Sequence, residues 1–115
     1  MKIVNLTPHA IVLRTSGETT VPPSGSVARV SATPGAVTQR EGFPCPVAEA
    51  TVYGDVEGLP SPVPGVIYLV SSMVLARCTG RADVFGPGTG PNDEPVRNEK
   101  GQVVAVTRLI AAPLL

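Results

Sequence analysis

Gly65-Val66-Ile67-Tyr68-Leu69-Val70-Ser71-Ser72-Met73-Val74-Leu75-Ala76-Arg77-Cys78 is the stretch whose reading decides the fold. Residues 65–70 form an apolar run of strand length, rich in β-branched side chains, and predict a buried strand. The pattern then changes. Met73, Ala76 and Arg77 are good helix formers, and Ser71 or Ser72 can cap the first turn by accepting from its exposed amides. Gly80 suits the C-terminal stop. Residues 81–85 return as a strand, so a strand–short helix–strand unit is expected here, and this is the one helix the chain predicts.

Working outward, thirteen Pro and twelve Gly divide the chain into short pieces. Proline removes a backbone donor and glycine permits positive φ, so both end regular elements. An α-helical bundle is excluded. Downstream, residues 86–93 read as irregular, residues 95–97 and 102–109 as a final hairpin, and the apolar tail 110–115 as packing on the body or on a sister subunit. Upstream, residues 2–6 read as a strand broken by Thr7-Pro8. A hairpin follows from 9–14 and 18–21 about Ser16-Gly17. Residues 26–31 alternate polar and apolar, the pattern of a half-buried strand. A long loop is expected over 32–46, with a short strand around 36–39, then a strand over 47–53 and an irregular stretch over 54–64. No internal repeat is visible.

These elements predict a mainly β (α+β) fold: a compact single-domain β-barrel or sandwich over residues 1–115, with one short α-helix closing one end. Hydrophobic residues make up 43% of the chain, with two Tyr, two Phe and no Trp, so the core is aliphatic. Nine basic and nine acidic side chains cancel. Without a basic excess or aromatic platforms, general nucleic-acid binding is not expected. No apolar run approaches the ~20 residues of a membrane span, and the first residues lack a signal-like apolar region, so a cytoplasmic protein is expected. Cys45 and Cys78 show no metal-ligand or disulfide-framework spacing and read as free or buried thiols. The carboxylates form no recognisable metal spacing. No cofactor and no metal are expected.

Three groups carry candidate chemistry. Ser71 and Ser72 stand at the strand-to-helix junction, where unpaired amides attract anions, although a plain N-cap is the simpler account of them. Gly86-Pro87-Gly88-Thr89-Gly90-Pro91 is a turn whose small residues, Gly88 and Thr89 among them, let a ligand approach the backbone; it lacks the ending of a P-loop. Arg81, Asp83 and Arg97 flank it: guanidinium groups match phosphate, and Asp83 accepts from a hydroxyl or base amine. An internal Arg81–Asp83 or Arg97–Asp93 ion pair is the alternative. Asn5, Thr7 and His9 form the third group. His9 is the sole histidine, so any histidine-dependent acid–base step uses it, but a histidine beside a proline turn also serves to fix a loop or touch a ligand. Asn5 and Thr7 are equally turn-forming types. No catalytic residue is assigned.

Asn5-Leu6-Thr7-Pro8-His9, with Val70-Ser71-Ser72, Arg81-x-Asp83, Pro87 to Pro91, Pro95-Val96-Arg97 and the segment from Gly101 to Leu109, resembles a family of small uncharacterised proteins of bacteria and bacteriophages. The likeness leaves residues 14–60 uncovered. It implies a bacterial host cell as the compartment of a phage-encoded chain. By analogy with small phage proteins it suggests an anti-defence sponge that sequesters a phosphorylated or nucleotide-derived signalling molecule, with pockets between the subunits of a homo-oligomer. The expected ligand is therefore small and anionic or nucleotide-like. The alternatives are a small hydrolase or transferase acting on a nucleotide-like substrate, and a phage structural or assembly component.

Overall fold

The computed structural model describes residues 1–114. In chain order its elements are β1 (Lys2–Asn5), β2 (Ile11–Arg14), β3 (Glu18–Val21), β4 (Arg29–Thr33), β5 (Val37–Thr38), β6 (Val47–Ala48), β7 (Val52–Glu57), β8 (Val66–Leu69), α1 (Ser72–Leu75), β9 (Val84–Pro87), β10 (Val96–Arg97), β11 (Val103–Ala105) and β12 (Leu109–Ala111). The fold is mainly β and sandwich-like, with one short helix. Of the two architectures expected, the barrel is not formed, because the sheets remain open.

The apolar run 65–70 lies at the centre. β8 is flanked by β1 and β9, both parallel to it, and β12 completes the sheet antiparallel to β9. Side chains on a strand alternate between faces, and here that alternation builds two cores. Val4, Tyr68, Val70 and Val84 pack on one side with Leu6, Val74, Leu75 and Cys78. Ile3, Leu69 and Phe85 pack on the other with Ile11, Val21 and Val106. A central strand covered on both faces needs no polar positions, which explains its unbroken hydrophobicity.

The covering layers are different in kind. One face carries α1 and the base of the β4–β7 ribbon. The other carries the β2–β3 hairpin, tied to the β11 end by Arg14 N donating to the Val106 carbonyl and Val106 N donating to the Val12 carbonyl, both at 2.8 Å. The helix is a single turn. Ser71 is its N-cap, accepting from Val74 N, and Gly80 at φ +84° reverses the chain two residues beyond Cys78. A side chain at Gly86 would come within 3.0 Å of Leu75 Cδ2 and 3.3 Å of the Val70 carbonyl, so glycine lets α1 lie close against β9.

Five stretches depart from the sequence reading: the strand expected over 26–31 runs over Arg29–Thr33, the strand expected over 47–53 is split into β6 and β7, and three more differ as follows. The strand expected at Arg81 starts at Val84, because Arg81 and Asp83 pair with each other in a turn; it then continues through Gly86-Pro87, expected to be irregular. Pro87 is tolerated as the last residue of its strand. The strand expected over 102–109 breaks after Ala105, and Leu109–Ala111 joins the main sheet as its antiparallel edge. β7 runs to Glu57, through residues expected to be loop, because β4 pairs with it along that length.

Residues 29–57 form a projecting ribbon: β4 pairs with β7, and further out β5 pairs with β6. Val30 and Val56 anchor its base on the core. The molecule extends 57 Å along its longest axis and has a radius of gyration of 17.4 Å, against about 13 Å for a globule of this length.

Candidate functional site

The Asn5-Leu6-Thr7-Pro8-His9 segment folds around a buried amide. Asn5 ends β1 and is 1% exposed. Its Nδ2 donates to the carbonyls of His9 (2.8 Å) and Val21 (3.0 Å), while Oδ1 accepts from Thr7 N (2.9 Å) and lies 2.6 Å from the Thr7 hydroxyl. That hydroxyl is also 2.9 Å from the His9 carbonyl oxygen. A buried polar side chain persists only when its hydrogen bonds are made, and here every group of the carboxamide is engaged. Asn5 is therefore the staple that joins β1, the turn and β3. It holds the turn in place and does not itself line the adjacent cleft.

That staple turns Pro8 and His9 outward, toward the junction between β8 and α1. Thr7, Pro8, His9, Ile11, Ser71, Ser72, Pro87 and Thr89 line one open cleft of about 370 Å³. Three segments remote in sequence thus meet. Five of the ten residues singled out from sequence, Thr7, His9, Ser71, Ser72 and Thr89, share this concavity. Pro8, Ile11 and Pro87 supply apolar walls; nothing in their residue type signals that role, although each lies within two positions of a residue that the sequence did single out. An adjoining trough of about 300 Å³ shares His9 and Thr89 and continues over Val103 to Val106.

The charged residues lie elsewhere. Arg81 donates from Nε and Nη2 to the two carboxylate oxygens of Asp83, each at 2.9 Å, and from Nη2 to the Pro60 carbonyl. The hydrogen bond from Arg81 holds the Asp83 carboxyl below the usual carboxylate range, and the same bond raises Arg81. This forked pair staples the turn before β9 to the segment before β8, as the internal-pair alternative had it. Arg97 sits on β10 and donates from Nη1 to the Gly101 carbonyl within the β10–β11 hairpin. Neither arginine lines the cleft. The glycine loop is committed inwardly as well: Gly88 N donates to the Arg108 carbonyl and Gly90 N to Asp93 Oδ2. A Cβ at Gly88 would approach the Arg108 carbonyl oxygen to 2.9 Å, so this glycine is needed for close backbone packing.

What remains at the cleft is a neutral, hydroxyl-rich rim on apolar walls, with one imidazole. Ser71 and Ser72 are exposed, and Ser71 Oγ is held at 3.4 Å from Val74 N by its capping role. The His9 ring has no carboxylate partner among the described residues. A further recess of about 440 Å³ lies between the ribbon base and the helix end, lined by Tyr53, Asp55 and Arg77, with the Arg77 guanidinium 5.1 Å from the Tyr53 ring centroid. Cys78 is buried and Cys45 exposed, both as free thiols; burial pushes the Cys78 thiol up, and nearby Arg81 opposes that shift. No group of three or more His, Cys, Asp or Glu gathers among the described residues, and none of their helices is long and apolar enough to cross a membrane.

Compared with known proteins, the chain matches no family model, no curated sequence and no solved structure.

Proposed function

We propose that this protein binds a small nucleotide-derived ligand in the cleft between the Thr7–His9 turn, the Ser71-Ser72 junction and the Pro87–Thr89 strand end. The observation that carries the reading is the convergence of those three segments on one concavity with apolar walls and a hydroxyl-rich rim. Such lining suits a ligand with a flat apolar face and several hydroxyls, since a few placed polar groups on an apolar surface give orientation and specificity. A nucleoside moiety has that chemistry: its base packs on Pro8, Ile11 and Pro87, and its sugar hydroxyls meet Ser71, Ser72 and Thr89. The His9 imidazole offers one donor or acceptor at the rim. Because Arg81 and Arg97 are engaged elsewhere, the recognition is of the nucleoside portion, and any phosphate extends toward solvent.

Binding is preferred to catalysis on one observation. An acid–base histidine is ordinarily oriented by a further group, and His9 is fixed only through its backbone carbonyl. A sequestering protein needs no more than that. The phage-type sponge suggested by the resemblance is the form of this reading that we favour.

A thermal-shift panel of nucleosides, nucleotides and cyclic dinucleotides tests it. A ligand bound only by the native state at one hundred times its Kd adds about 2.7 kcal/mol of stability, an upward shift of several degrees. Replacement of Ser72 and Thr89 by Val should abolish that shift while leaving the unliganded melting temperature close to wild type. A flat response across the panel at millimolar ligand overturns the reading, and recovery of a chemically altered ligand transfers it to an enzyme.

A further inference from the structure

The ribbon 29–57 poses a physical problem that the body does not. None of its residues is buried, and only Val30, Gly35, Val47 and Val56 are even half-buried. Val37 and Val52 are each 68% exposed, and Phe43 at the tip 49%. A two-stranded ribbon standing alone in water is marginally stable at best, and edge strands with exposed apolar side chains invite pairing with another chain. Something must cover it.

Charge narrows the identity of the cover. Residues 29–57 carry Arg29 and Arg40 against Glu41, Glu49, Asp55 and Glu57, a net charge of −2; the whole chain has nine of each sign, so the remainder carries +2. Two ribbons side by side place like net charges together, whereas the body of another copy carries the compensating sign; the trough itself is lined by no charged side chain. The body offers an apolar receptor. The trough beside His9 is floored by Ile11, Val12 and Pro87 and flanked by β11, where Val103 and Val104 are 37% and 43% exposed. Its volume of about 300 Å³ accommodates a phenylalanine ring with a neighbouring proline, and the ribbon tip presents Phe43-Pro44 with Arg40 stacked 6.0 Å from the ring centroid. Size also agrees. Stable interfaces engage roughly 20–30 residues a side, and in a reciprocal exchange each copy contributes both its arm and its receptor.

We infer that the outer part of the ribbon, beyond the base that Val30 and Val56 anchor on the chain's own core, is an exchange arm: the arm of each copy lies on the body of a second copy, with Phe43 seated in the trough next to His9. Reciprocal exchange satisfies both arms at once and closes the assembly as a two-fold dimer, whereas one-way docking leaves a free arm and a free trough and propagates. The trough shares His9 and Thr89 with the cleft, so the partner's Phe43 becomes a wall of the binding site. The inference itself stands without any ligand.

Sedimentation of the full chain at tens of micromolar is the test. Twice the chain mass is expected. Attachment of a short photocrosslinker to Cys45, two residues from Phe43 and exposed, should yield intermolecular adducts on residues 103–106. The double variant Phe43→Ala/Val52→Lys should sediment as a monomer with an unchanged far-ultraviolet spectrum. Val104→Glu, made on the receptor side only, should do the same. A monomeric wild type, a dimer whose adducts run from arm to arm, or a Val104→Glu dimer as tight as wild type each overturns the arm-on-body exchange. A monomeric Val104→Glu that still shifts its melting temperature with a nucleoside leaves the cleft reading intact, so the two proposals fail separately.

Discussion

The body and the arm are built from the same material and reach opposite states. Val66, Val70 and Val84 in the body, and Val37, Val47 and Val52 in the arm, all lie in or beside short strands bounded by Gly or Pro, and residue type alone does not tell them apart. In the body those positions are largely withdrawn from water, Val70 and Val84 completely so, whereas Val37 and Val52 stand 68% exposed. The difference lies in the order of pairing. β8 is flanked by strands on both edges and covered on both faces, while β4–β7 and β5–β6 are two-stranded along their whole length. Strand propensity is a property of the segment; burial is supplied by partners brought from far along the chain.

That contrast breaks first at Leu69. It is fully buried, opposite Asn5 and Phe85 in the sheet. Leu69→Ala should cost about 3–4 kcal/mol by lost transfer energy and cavity formation, read as a fall in the urea midpoint. In the arm, Val52→Ala should change the stability of the dilute monomer by less than about 0.5 kcal/mol. Comparable losses at the two sites mean that the arm belongs to the body's cooperative unit.

The next effect is at Asn5. Asn5→Asp keeps shape and volume but turns an amide donor into an oxygen facing the His9 and Val21 carbonyls. The buried Val21 carbonyl loses its donor, the His9 carbonyl is left with the Thr7 hydroxyl alone, and a carboxylate takes the place of a neutral amide, which together should cost roughly 2–3 kcal/mol, measured by chemical unfolding at neutral pH. Because the same amide holds the turn that presents His9, this variant should also lose the ligand-induced thermal shift. Retention of that shift with full stability means that the turn is held by Thr7 alone.

A smaller effect belongs to the Arg81–Asp83 fork. The two side chains retain 24% and 17% of their exposure, and Asp83→Asn should cost on the order of 1 kcal/mol. Since the carboxyl is lowered in the folded protein, its contribution is fully present above the unfolded value of about 3.9 and is lost as the pH falls through the folded value. Wild type and Asp83→Asn should therefore differ by a constant amount from pH 5 to 8 and converge in acid. A gap that persists at pH 2 assigns the loss to packing instead.

How much of this was legible in the sequence follows the same division. The central strand, the capped turn after it and the hairpin read over 9–14 and 18–21 are local in origin, set by β-branched runs, Ser71 and Gly17; they form where expected, the first hairpin strand starting at Ile11. The fate of Leu109–Ala111 depended on an edge of β9 that no local pattern marks, so a strand of the main sheet passed for a tail. For the cleft, the sequence singled out the turn at Thr7–His9 and the helix-capping pair Ser71-Ser72 as separate segments, and their meeting is a consequence of the β1–β8 pairing. The arginines stand apart from the cleft for different reasons: Arg81 has the Asp83 carboxylate within reach two residues away, and Arg97 donates to the Gly101 carbonyl of its own hairpin.

The last effect carries almost no energy and compares the regions by one atom type. Cys45 lies near the arm's tip, flanked by Pro44 and Pro46, and Cys78 lies in the core, its thiol donating to the Val74 carbonyl at 3.1 Å. The thiolate is the reactive species, and burial both raises Cys78 and denies reagent access. A maleimide should therefore label one thiol per chain rapidly, at Cys45, with Cys78 reacting only through opening of the body. Leu69→Ala, by lowering the opening energy, should accelerate labelling at Cys78 by two to three orders of magnitude and leave Cys45 unchanged in the dilute monomer. With rising protein concentration the arm should become the protected region in its turn, since a tip seated on a second copy shields its own sulfur. Slow labelling at Cys45 even at high dilution means that the arm is already folded against its own body.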